Sequence, residues 1–334
     1  MNAALLRDGA ERPDGFWIRC SVQRALDRLK VFGIVLFVPL ALFAGVYWTA
    51  DLGEKAGRGE VLGAAAGTVA AGALLHVLLG ALLDLACETS RFGALLQREI
   101  QFYFHTPVPY MVMVLFTLAA GLFFYFSMME IPAVTYRHSF GPIAFFLIFL
   151  IPLLTIRSFA EEKASGTVEP LLTAPVSEVQ VVAGKFCGAM VFFAAMLLPT
   201  AAYYAVLRFI GAGASLAKPD GGPVVAGYCG MLLFGAFHVS IGIFASTLTQ
   251  DSVLGAFLAF VMILFFWAVE PIMQALQVMA TPGWTEAALY ISPTKHLEPF
   301  LKGVLAPLDA IHFVTFTLFF LFLAARSIEY RKWR

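Results

Sequence analysis

The sequence predicts an all-α, polytopic helical membrane protein. Of the 334 residues 60% are hydrophobic and only 13% are charged, a balance that ordinary soluble domains do not show. The apolar residues form unbroken runs of about 20, the length a helix needs to cross roughly 30 Å of hydrocarbon, rather than the alternating ten-residue segments of a barrel. Equal numbers of basic and acidic residues, 22 each, leave no net field to draw a nucleic acid, so nucleic-acid binding is not expected.

Eight spans are predicted, over about 31–50, 61–86, 109–128, 141–156, 181–207, 224–247, 253–273 and 308–325. Placing the N-terminus in the cytoplasm puts about twice as many Lys and Arg residues inside as outside, so both termini are expected to be cytoplasmic. The polar, charged stretch "MNAALLRDGAERPDGFWIRC" does not read as a cleavable signal peptide. Cys20, Cys87, Cys187 and Cys229 lie far apart without CxxC spacing and read as packing residues. In the second span Gly63 and Gly67 have GxxxG spacing, which suits either a helix dimer face or close packing within the chain.

Before the third span, "RFGALLQREIQFYFHTP" places Phe92, Leu95, Leu96, Ile100 and Tyr103 on one helical face, with Arg91, Arg98 and Gln101 turned away. This is expected to be an amphipathic helix along the cytoplasmic membrane surface, ended by Pro107 and Pro109. Glu99 falls inside the apolar arc, where a carboxylate either snorkels at the edge or needs a partner.

Residues 157–185, "RSFAEEKASGTVEPLLTAPVSEVQVVAGK", interrupt the apolar pattern with charge. Arg157 and Glu161, at i and i+4, can pair on a helix that continues the fourth span until Gly166 stops it. Ser177 and Gln180 form a capping-box pattern that starts the fifth span, with Glu178 at the positive end of the helix dipole. Between them lies a short elbow with the apolar pair Leu171 and Leu172, suited to docking another protein.

Of the ionisable residues in or beside the spans, Asp84 and Arg208 can snorkel, while His76 and His238 can be satisfied by one interhelical hydrogen bond each. Glu270 precedes Pro271, which is expected to break the seventh span near its outer end; Glu270 then either lines a translocation route or stabilises the interface. The outer region at about 274–307 is expected to dip back as one or two short interfacial helices. No HExxH, GxSxG or GxxxxGK[ST] pattern is present, and adjacent Glu161 and Glu162 point about 100° apart, so an intramembrane enzyme is not expected.

An acidic pair, a basic residue, SGT, an acid, a Leu pair, Pro and then GK, as in "EEKASGTVEPLLTAPVSEVQVVAGK", closely resembles the loop of ABC-2 type transporter permeases. "QREIQFYFHTPVPYMVMVLFTLAAGLFF" looks like that family's start. "SPTKHLEPFLKGVLAPLDAIHFVTFTLFFLFLAARSIEYRKWR" is similar to its C-terminal end, particularly in the gliding-motility (GldF-like) branch. The resemblance covers about residues 95–334, and divides the chain into an extension, 1–90, with two spans, and a six-span permease core, 91–334.

What the resemblance implies is an exporter subunit in a bacterial inner (plasma) membrane, driven by a separate cytoplasmic ATPase subunit that binds ATP and Mg, with no cofactor in this chain. It implies a homodimer, or a heterodimer with a related permease, surrounded by membrane lipids. Carried over by position, the coupling residues are Arg157, Glu161, Glu162, Lys163, Ser165, Gly166, Thr167, Glu169, Pro175 and Lys185, supported by Arg98 and Glu99 of the surface helix. None is expected to be catalytic. A membrane scaffold or anchor fits the composition equally but leaves the polar elbow without a purpose.

Overall fold

The computed structural model describes residues 91–130, 137–156, 158–164, 177–204, 221–276 and 289–332. Among the described residues the secondary structure is helical: α1 (Arg91–His105), α2 (Pro107–Glu130), α3 (Arg137–Thr155), α4 (Ala160–Ala164), α5 (Glu178–Leu197), α6 (Gly221–Leu248), α7 (Ser252–Leu276), α8 (Pro293–Leu301) and α9 (Pro307–Lys332). Six segments, within α2, α3, α5 to Tyr204, α6, α7 and α9, are long and apolar enough to cross a membrane. They coincide with the last six spans expected from sequence; the expected spans at 31–50 and 61–86, with Gly63, Gly67, His76 and Asp84, lie outside the described residues, as does Arg208.

Helix α6 is the most buried of the six and α7 the least. In lipid, apolar surface alone gives helices little reason to associate, so close van der Waals packing has to hold them. The glycines of α6 permit it: a Cβ on Gly235 would overlap the ring of Phe193 from α5, one on Gly242 would overlap Thr155 from α3, and one on Gly230 would sit 2.5 Å from the Cβ of Phe300 in α8. On another face Phe237 centres an aromatic cluster, edge-on to Phe266 of α7 (5.2 Å) and to Phe316 (5.8 Å) and Phe320 (6.1 Å) of α9. His238 Nδ1 bonds within its own helix, 2.7 Å from the Phe234 carbonyl, rather than across to a neighbour as expected, and its buried Nε2 meets no hydrogen-bond partner among the described residues.

Helices α1 and α2 track α5 in the same direction. Leu95 lies against Gly184, Glu99 against Gly188 and Tyr103 against Phe192, and further along the Tyr203 hydroxyl donates to the Thr117 carbonyl at 2.9 Å. The amphipathic pattern of α1 is as expected, with Leu95, Ile100 and Tyr103 buried, but the face expected to meet lipid is covered by α5. The prolines act as anticipated: α1 ends at His105 and α2 begins at Pro107.

Two expectations about helix ends are corrected. The helix of the fourth span does not run on to Gly166; α3 stops at Thr155 and the chain turns before α4 begins at Ala160. The Thr155 hydroxyl donates to the Ile151 carbonyl at 3.0 Å, the Ser158 N–H closes a turn onto the Thr155 carbonyl, and the Phe159 N–H goes to Ser246 Oγ at 3.4 Å. These bonds fold Phe159 and Ala160 into the core instead of continuing the helix into water. Pro271 does not break α7 either, since the helix continues to Leu276. A proline removes one backbone donor and bends a helix, and neighbouring helices in a bundle can hold the rest of the turn in place. Of the outer region, α8 is the short helix expected, buried through Leu297 and Phe300.

Replacing Gly235 with Val should lower the stability of the detergent-solubilised protein by roughly 1–3 kcal/mol, because a filled core has nowhere to move Phe193. Gly141→Ala, where a Cβ would meet nothing within 4 Å, should leave the thermal midpoint unchanged or slightly raised. Thermal unfolding of both variants checks the pair; equal loss in both contradicts the packing account.

Candidate functional site

The elbow region is assembled from three pieces of chain that the sequence separates by many residues. The first is the start of α5. Ser177 Oγ accepts from the Gln180 N–H at 3.3 Å and Gln180 Oε1 accepts from the Ser177 N–H at 3.0 Å, the reciprocal capping box expected there. The cap fixes the first turn of α5 and thereby the direction in which Gly184, Lys185 and Gly188 point. Gly184 and Gly188 form a small-xxx-small notch: a Cβ on Gly188 would lie 2.9 Å from the Cβ of Glu99, and one on Gly184 would lie 3.0 Å from Leu95.

The second piece is α1, seated in that notch. Tyr103 stacks on Phe192 with ring centroids 5.6 Å apart. Burial, reinforced by the Glu99 carboxylate, raises the Tyr103 hydroxyl above its ordinary pKa, so it stays protonated. The close approach brings Glu99 to Lys185, whose ammonium donates to both carboxylate oxygens at 3.2 and 3.3 Å. The side chains of Lys185 and Glu99 are only 3% and 6% exposed. Glu99 inside the apolar arc of α1 therefore has a partner, which settles the choice left open by its place on the helical wheel.

The third piece is α4. Glu162 Oε1 lies 3.0 Å from Lys185 Nζ and 3.0 Å from an Arg98 guanidinium nitrogen. Arg98 is about half exposed, so its pair adds little, on the order of 0–1 kcal/mol. Lys185 is different: a buried ammonium shared by two carboxylates and lying 5.0 Å from the Phe159 ring centre joins all three pieces at one atom. Burial is the larger influence on Glu162 and holds its carboxyl above the usual range, against the pull of Lys185 and Arg98 and with some help from Glu99.

Of the residues predicted from sequence, Arg98, Glu99, Glu162 and Lys185 thus converge, and Lys163 lies beside them, its ammonium donating to the carbonyls of Thr247 and Thr249. Glu161 belongs to the same short helix. Arg157, Ser165, Gly166, Thr167, Glu169 and Pro175, with Leu171 and Leu172, lie outside the described residues, and so does any pairing of Arg157 with Glu161. Glu270 stands apart from this cluster, accepting from Gln274 Nε2 at 3.2 Å and from the Thr294 hydroxyl of α8.

Several participants were not picked out from sequence. Gly184 and Gly188 carry a readable signal, the GxxxG spacing in "GKFCG", of the same kind as the one at Gly63 and Gly67. Ser246, Thr247 and Thr249 carry none, because two of their three contributions are made by backbone carbonyls, which any residue supplies. A polar joint at the other end, where His296 Nδ1 sits 2.6 Å from Asp309 and Nε2 sits 2.9 Å from the Tyr290 carbonyl, links α8 to the first turn of α9 and also has no sequence motif.

Removing Lys185 should be the most damaging single change here. Lys185→Met leaves two carboxylates without their buried cation and should cost about 3–5 kcal/mol, whereas the double variant Glu99→Leu, Lys185→Met should recover part of that loss, since it removes the more buried carboxylate and leaves Glu162 with Arg98. Thermal melts of the two variants decide it; a double variant no more stable than the single one contradicts the pairing. For Glu162 the raised pKa gives the sign: the folded state binds the proton first, so stability rises as pH falls from neutral toward the ordinary glutamate range near about 4.3. The stability of the wild type relative to Glu162→Gln should therefore increase over that descent, and a flat or decreasing difference contradicts the burial effect.

The family profile described as "ABC-2 family transporter protein" matches residues 30–326. The match begins well before residue 95, so it takes in most of the N-terminal stretch in which the sequence pattern showed no resemblance. No individual curated protein matches the chain. That family is the membrane component of a transporter whose ATP-binding subunit is separate, and not itself the ATPase. With six apolar helices of spanning length among the described residues and a profile that runs through nearly all of its length, this chain belongs to the ABC-2 transporter family.

Proposed function

We propose that the chain is the permease of an ABC exporter and that residues 157–185 are where a cytoplasmic ATPase subunit delivers its motion. The observation that carries the reading is the buried Lys185 ammonium, which ties the elbow helix α4 to both α1 and the start of α5. A loop that only joined two spans would have no need of a charge network below the surface, and such networks are expensive to bury. Held this way, a push on the elbow moves α1 and α5 with it, and α1 leads directly into the span of α2.

On this reading the elbow end faces the cytoplasm of a bacterial cell, the protein resides in the inner membrane, and two permeases, identical or related, assemble with two ATPase subunits. ATP and Mg belong to that partner. The gliding-motility branch is the finer assignment that the C-terminal residues suggest, and the exported substrate is left open by phenylalanine-rich spans.

The test is affinity purification from native membranes in mild detergent, wild type beside the double variant Glu162→Lys, Gly166→Pro, with the co-purifying proteins identified and ATP hydrolysis assayed. An ATPase subunit should accompany the wild type and be lost from, or uncoupled in, the variant. No ATPase with either form favours a non-transporting scaffold or anchor instead.

A further inference from the structure

Glu162 and Lys163 are neighbours on a helix of five residues, so their side chains leave it about 100° apart. Glu162 faces α1 and α5. Lys163 faces the opposite partner, the end of α6, where its ammonium donates to the Thr247 carbonyl and, at 3.4 Å, to the Thr249 carbonyl. The last carbonyls of a helix have no intrahelical donors and form the negative end of its dipole, which makes a cation the suitable cap. The Ser327 hydroxyl of α9 reaches the same Thr247 carbonyl at 3.5 Å, and the Phe159 N–H reaches Ser246 Oγ at 3.4 Å.

The turn that follows is itself fastened. Thr249 Oγ1 accepts from the Asp251 N–H at 3.0 Å, and Asp251 Oδ1 accepts from the N–H groups of Val253 and Leu254 at 2.8 and 3.2 Å, capping α7. The turn between Thr247 and the start of α7 is thus hydrogen-bonded rather than open. At the far end of α7, Glu270 accepts from Thr294 of α8.

We propose that Lys163 is a positioning residue that carries movement of the elbow into the α6–α7 hairpin, acting through the open carbonyls at the end of α6 and not through contact with the ATPase. The elbow thus has two outputs: Glu162 moves α1 and α5, and Lys163 moves α6 and α7. The inference rests on the coupling role of the elbow proposed above.

The test uses the permease purified with its ATPase and placed in lipid nanodiscs. Spin labels go on cysteines at Val179 and Val253, which are 65% and 73% exposed in the first turns of α5 and α7, after replacement of the native cysteines. The distance between them is measured with and without ATP trapped by vanadate, in wild type, Lys163→Met and Lys163→Arg.

Lys163→Met should keep the ATPase at wild-type stoichiometry while the nucleotide-driven change in distance falls about fivefold or more, and Lys163→Arg should restore it. A merely structural role would change the distance equally with and without nucleotide. A full nucleotide-driven change in Lys163→Met overturns the proposal, and so does loss of the ATPase from that variant, which would place Lys163 in the docking surface. Absence of the ATPase from the wild type as well overturns the coupling reading itself. Should Lys163→Met not fold, Lys163→Gln, which keeps a donor and loses the charge, carries the same comparison.

Discussion

A single buried ammonium organises the elbow end of this protein. Lys185 sits almost entirely out of water between Glu99 and Glu162, and the pieces of chain that carry those three residues meet at it. Burying an ammonium costs several kcal/mol unless close, well-directed carboxylates compensate it. That requirement fixes how α1, α4 and α5 can be placed. Helix α1 must come near enough for Glu99 to reach, which leaves little room for a side chain at 188, where a Cβ would lie 2.9 Å from that of Glu99, and a tight fit at 184. The short helix α4 must present Glu162 inward, which demands that α3 end at Thr155 and the chain turn.

The same logic explains why the elbow is attached on two sides. A buried ion pair is weak evidence for stability by itself, because desolvation offsets much of the attraction. The Lys185 network gives α4 a fixed distance from α1 and α5, while Lys163 gives it a fixed distance from α6. A helix of five residues has no stability of its own in water. It is held as a unit by these flanking contacts and by Phe159 and Ala160 buried beneath it.

Much of the fold was legible in the sequence because lipid imposes a strict rule: runs of about 20 apolar residues must be helices. The six described spans sit within a few residues of where hydropathy placed them. The α5 cap was legible because a capping box is a local pattern, Ser177 with Gln180. The position of Glu99 on the apolar face of α1 correctly signalled a need for a partner, but not which one, since Lys185 is distant in the chain and looks from sequence like part of a loop motif. What local patterns did not show were the break after Thr155, where the Phe159 N–H goes to the Ser246 hydroxyl of another helix, and the persistence of α7 through Pro271. The first involves a tertiary neighbour. The carbonyl cap on α6 was equally invisible, because backbone acceptors leave no trace in residue identity.

The claim that the elbow receives the ATPase is tested most directly by hydrogen exchange on the intact permease, alone and in complex with its ATPase subunit. The account predicts that added protection concentrates in residues 157–185, with a smaller gain along α1, which shares the Lys185 network. Protection confined to other loops, or none at the elbow, would contradict it.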